Sequence, residues 1–70
     1  MFAISLRHAD QIRRYSIGPL ESSGWEVKLE TDRQLMRHTT YHDWHRVERA
    51  LAEFRLEVSD LTARGWEPCN

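Results

Sequence analysis

The sequence predicts an α+β fold: an antiparallel β-meander of three to four strands, followed by one long C-terminal α-helix packed on one face of the sheet. Two observations carry the prediction. Over residues 44–64 the apolar side chains of Val47, Leu51, Phe54, Val58 and Leu61 recur in alternating steps of four and three, which places them on one face of a helix. Over residues 25–30 the period is two, with Trp25, Val27 and Leu29 alternating with Glu26, Lys28 and Glu30. That alternation marks a strand with one face buried and the other wet.

The elements follow in chain order. Phe2, Ile4 and Leu6 alternate with Ala3, Ser5 and Arg7, which predicts a strand over 2–7 that turns back through His8, Ala9 and Asp10. A helical turn from Leu6 to Tyr15 is the competing reading of this segment. A second strand over 12–17 carries Tyr15 and Ile17 and stops at Gly18 and Pro19, because proline has no N–H to give to a central ladder. Ser22, Ser23 and Gly24 supply a turn into the strand over 25–30, and Thr31, Asp32 and Arg33 supply the next. The hairpin partner over 34–41 should then present Leu35, Thr39 and Tyr41 on one side. Asp43 stands ahead of the helix as an N-cap, and Gly65 follows it as a C-cap. Trp25, Trp44 and Trp66 are all in phase with the buried pattern and are expected to act as core clamps. No repeat, low-complexity stretch or linker divides the chain, so residues 1–70 read as one domain.

Composition narrows the function classes. Forty per cent of the 70 residues are hydrophobic and thirty per cent are charged, an ordinary balance for a folded soluble domain. A domain of this size buries only about 60 % of the surface its unfolded chain exposes, so a partner subunit would add useful margin. No apolar run approaches the ~20 residues of a membrane span, and the N-terminal segment lacks the pattern of a signal peptide. A cytoplasmic location and no membrane partner are therefore expected. The single cysteine, Cys69, leaves no internal disulfide and sits in what reads as an exposed Glu-Pro-Cys-Asn tail.

Ten basic residues meet eleven acidic ones for a formal charge of -1, whereas a dedicated nucleic-acid domain concentrates positive charge on one face. Along the helix Arg46, Arg49, Arg55 and Arg64 are interspersed with Glu48, Glu53, Glu57 and Asp60, the mixed pattern of a solvated face. His38, His42 and His45 fall within eight residues at the strand-to-helix corner and are the only metal-ligand candidates, weak ones because no cysteine reinforces them nearby. No serine has the context of an activated nucleophile, and the carboxylates are dispersed. Neither an enzymatic activity nor a cofactor is expected.

The order of strand, strand and helix ending in Gly65-Trp66 resembles that of WGR-type modules over Trp25 to Trp66. The resemblance implies an association with nucleic-acid-linked enzymes. The Trp-Gly-Arg step that defines those modules is absent, so no functional residue is carried over.

The leading expectation is a small non-enzymatic interaction domain that self-associates, with an unknown protein partner as a further expectation. At about 100° per residue, Ala52, Leu56 and Ala63 fall on the side of the helix opposite the Val47 stripe and form a second, narrower apolar strip for a homo-oligomer contact. The alternative is weak nucleic-acid binding through the open sheet face, with phosphates meeting some of Arg13, Arg14, Arg37 and His38.

Overall fold

A computed structural model describes residues 2–32 and 34–69 of the chain, leaving Met1, Arg33 and Asn70 outside. Four strands form in succession: β1 (Phe2–His8), β2 (Gln11–Pro19), β3 (Trp25–Thr31) and β4 (Gln34–Tyr41). They are followed by a 20-residue helix, α1 (Trp44–Ala63), and by a short strand, β5 (Glu67–Cys69). The five strands make one antiparallel sheet in the order β4-β3-β2-β1-β5. The N-terminal segment is thus the strand expected of it rather than the helical turn.

Period-two patterning sets the register. Pairing of Ile4 with Tyr15, Tyr15 with Leu29, and Ile17 with Val27 puts the large apolar side chains of three strands on one face. α1 lies across that face. Leu6, Tyr15, Ile17, Val27, Val47, Ala50 and Phe54 form the buried core, with Phe54 meeting Tyr15 edge-on at 4.9 Å between ring centroids. Leu51, Val58 and Leu61 are only half-buried, as are Phe2, Ile4 and Trp66. Ala50, which stands outside the Leu and Val stripe, is also buried.

Local chemistry fixes the ends of each element. Asp43 accepts from the backbone N–H of His45 at 3.0 Å and so caps the helix start. At the other end Gly65 N–H reaches Thr62 O at 3.1 Å, and Trp66 N–H reaches Leu61 O at 3.0 Å. With Gly65 at φ 104° this is a Schellman closure. Gly24 is required twice over: its φ is 88°, and a Cβ there would lie 2.5 Å from the Tyr41 carbonyl oxygen. Asp32 accepts from Ile12 N–H at 3.0 Å and returns its own N–H to Ile12 O at 2.8 Å, pinning the start of β2 to the end of β3.

Four expectations are corrected. The C-terminal tail is not free, because Glu67, Pro68 and Cys69 pair with Arg7, Leu6 and Ser5 and add a fifth strand that the three- to four-stranded meander lacked. The Schellman turn redirects the chain alongside β1, where an open edge waits. Next, Leu35 does not share a face with Thr39 and Tyr41. A bulge lets Leu29 pair with Arg37 and Glu30 with Leu35, so Met36 is the extra residue and the alternation inverts across it. Leu35 is left 53 % exposed on the outer face, while Arg37 takes the place under the helix. Finally, β2 runs through Gly18 to Pro19, which pairs with Trp25 as the last residue of the strand. Trp44 remains 43 % exposed, covering Trp25 at 5.0 Å from the rim rather than filling the core.

Candidate functional site

Two flanks of α1 and its outer face are open, because one helix about 10 Å across cannot cover a five-stranded sheet about 20 Å wide. On the flank facing β4 the gap is a cleft of about 290 Å³ lined by Arg37, Tyr41, Arg46, Arg49, Ala50 and Glu53. Arg37 enters it because it pairs with Leu29 in the same phase as Thr39 and Tyr41, on the helix side of β4. The Arg37 guanidinium lies 5.7 Å from the centroid of the Phe54 ring and donates to Glu53 Oε2 at 3.2 Å. Hydrogen bonding to the Tyr41 hydroxyl, with help from Glu53 and against partial burial, holds Arg37 above its ordinary pKa.

Arg46, Arg49 and Glu53 reach the same cleft because steps of three and four put them on one side of the helix. Sequence reasoning assigned these residues to a mixed, solvated face. The signal that finds the cleft is this 46, 49, 53 stripe, read together with the period-two phase that Arg37 shares with Tyr41. The dipole-complementary charges stand at the caps, Asp43 at the start and Arg64 at the end, while the first turn itself holds no acidic residue and the last turn no basic one. Arg46 in that first turn forgoes the stabilisation of about 0.3–1 kcal/mol that an anion would give there. At the far end, Asp60 is offset by Arg64 at 3.2 Å.

The outer face of α1 carries the strip expected for self-association. Ala52, Leu56 and Ala63 are all exposed, and Leu56 at 72 % is the most exposed large apolar side chain among the described residues. Small side chains on either side of it let a second helix approach closely.

The four residues of the nucleic-acid alternative are divided. Arg14 and His38 lie on the open sheet face, whereas Arg13 and Arg37 lie on the helix side. Arg13 stacks on Trp66 at 5.5 Å, and Trp66 stacks on His8 at 5.4 Å. The open face pairs its charges instead of pooling one sign. Arg14 donates to Ser5 Oγ at 3.3 Å, while Glu26 lies 3.7 Å from Lys28 and 2.7 Å from His38. The hydrogen bond from His38, opposed by partial desolvation and aided by Lys28, depresses the Glu26 pKa below its ordinary value.

The corner histidines point to different partners. His38 is held by Glu26 on the open face, and His42 Nδ1 lies 3.5 Å from Ser23 Oγ beside the β2–β3 turn. His45 sits in the first turn of α1 and projects away from the sheet, in line with Ala52 and Ala63. Among the described residues no three His, Cys, Asp or Glu side chains converge on one point. The Ser23–His42 separation is at the outer limit of a hydrogen bond and both groups are exposed. Nor is any described helix long and apolar enough to cross a membrane.

No protein-family model, curated protein or solved structure gives a significant match to the chain. The likeness to WGR-type modules is one of element order alone.

Proposed function

We propose that this chain is a non-enzymatic interaction domain that self-associates through the outer face of α1. The observation that carries the reading is Leu56, 72 % exposed at the middle of a 20-residue helix and flanked on the same strip by Ala52 and Ala63. A two-fold contact brings each Leu56 against its symmetry mate, and the alanines keep the helix axes close. Charges at Arg49 and Asp60 border the strip without interrupting it. Burial of this apolar surface supplies a small domain with stability that its seven-residue core does not.

Light scattering coupled to size exclusion tests the reading. The wild-type chain is expected to run as a dimer at about 100 µM, a concentration that reveals contacts well weaker than those of standard-sized interfaces. Leu56→Glu buries a charge without a partner and should give a folded monomer with an unchanged circular dichroism spectrum. A wild-type monomer at that concentration, or a Leu56→Glu dimer, removes this face as the contact.

A further inference from the structure

The cleft between α1 and β4 lies beside the Leu56 strip and shares only Arg49 with its border. Its charges are unbalanced. Three guanidiniums line it against one carboxylate, and that carboxylate, Glu53, is already 3.2 Å from Arg37. Among the described residues neither Arg46 nor Arg49 forms an ion pair. The Tyr41 hydroxyl adds a neutral donor at the same wall. We propose that this cleft is a binding site for a small multivalent oxyanion of the phosphate class.

Five features support that ligand over bulk solvent. The excess of two positive charges matches an anion of two or more negative charges. Guanidinium forks meet phosphate and carboxylate oxygens in pairs, which a lysine cannot do. Arg37 is pre-organised by the Phe54 ring beneath it and Glu53 beside it, so one fork is fixed before the ligand arrives. Arg46 stands in the first turn of the helix, where the dipole disfavours a cation and favours the anion it would hold. A local conflict of this kind, kept in an otherwise consistent element, is what a binding site costs a fold. The volume of about 290 Å³ admits an anion the size of pyrophosphate with some of its water and is too small for an extended polymer to be enclosed.

The test titrates the full chain with pyrophosphate and, in parallel, with citrate as the carboxylate probe, at matched ionic strength and followed by NMR of the backbone and Arg Nε–H signals. Saturable binding with shifts centred on Arg37, Arg46 and Arg49 is expected, tighter for pyrophosphate than for citrate. Arg46→Gln and Arg49→Gln should each weaken it about tenfold, the loss of one charge-assisted hydrogen bond. Arg55→Gln removes the same charge from the opposite flank of the helix and should leave binding unchanged. All three side chains are exposed, so thermal melts should show the variants folded. Absence of saturation with either probe overturns the site, and so does equal weakening by Arg55→Gln, which would mean attraction to net charge alone. Tighter binding of citrate would overturn the phosphate assignment.

Discussion

At the residue scale the fold rests on a few side chains whose loss is measurable. Phe54 is fully buried between Phe2 and Tyr15, and Phe54→Ala should cost about 3–5 kcal/mol. For 70 residues the whole stability is roughly 4–10 kcal/mol, so the variant should lose about half of it and melt far below the wild type by circular dichroism. An unshifted melting curve would mean that α1 does not pack on the sheet as described. Tyr15 presents the opposite case. Its hydroxyl is buried and has no hydrogen-bond partner among the described residues, so it loses hydration without compensation. Tyr15→Phe keeps the ring against Phe54 and should raise stability by up to about 1 kcal/mol, while a lowered midpoint in urea would show that the hydroxyl is paired in solution. On the open face, Glu26 has a depressed pKa chiefly through His38. A carboxylate with a lower pKa folded than unfolded contributes stability above its unfolded pKa, near 4.3, and loses that contribution as pH falls through the folded value. His38→Ala should move the Glu26 NMR titration upward and flatten the acid side of the stability profile. An unmoved Glu26 midpoint would sever that coupling.

At the element scale, period decided what the sequence revealed. The four long strands and the helix were legible because each buries one face over at least seven residues, long enough for a period of 2 or 3.6 to show. β5 was not, since three residues with a central proline have no period, and its pairing depends on where the Schellman turn sends the chain. The bulge was hidden for another reason. Leu35 and Met36 are adjacent and similarly apolar, so the pattern does not say which of them is the extra residue, and the choice decides which way Leu35 faces. The anion cleft was missed for another reason: its third arginine, Arg37, comes from β4, and its shared phase with Thr39 and Tyr41 was the signal that placed it on the helix side. The apolar strip at Ala52, Leu56 and Ala63 was legible from helical geometry alone, and the structure leaves all three exposed. β5 also has a consequence that can be measured. It covers Ser5, Leu6 and Arg7 in the C-terminal half of the β1 edge and carries Pro68, so it closes that part of the edge to further pairing. Shortening this chain to residues 1–66 should lower stability by about 1–3 kcal/mol through the lost ladder and increase aggregation on heating. A shortened chain that melts reversibly at the same temperature would show that β5 is only an appendage.

At the scale of the whole molecule, the governing fact is that one helix is too narrow for five strands. The mismatch leaves half-buried apolar residues, Leu51, Val58, Ile4 and Phe2, on the β1 side and the charged cleft on the β4 side. It also leaves the core at seven buried residues, a thin base for an independent domain. Covering the outer face of α1 with a second copy does not widen the core, yet it ties stability to association: whatever binds the folded chain and not the unfolded one stabilises it by mass action. The melting temperature should therefore rise with protein concentration. Between about 5 µM and 500 µM, a contact of micromolar affinity should raise stability by roughly 1–3 kcal/mol, which for a domain of this size is a shift of several degrees. Leu56→Glu should melt at one temperature across the same range, close to the wild-type value at the lowest concentration. If the wild-type midpoint is independent of concentration as well, the exposed leucine has no second copy against it, and the fold stands on its seven core residues alone.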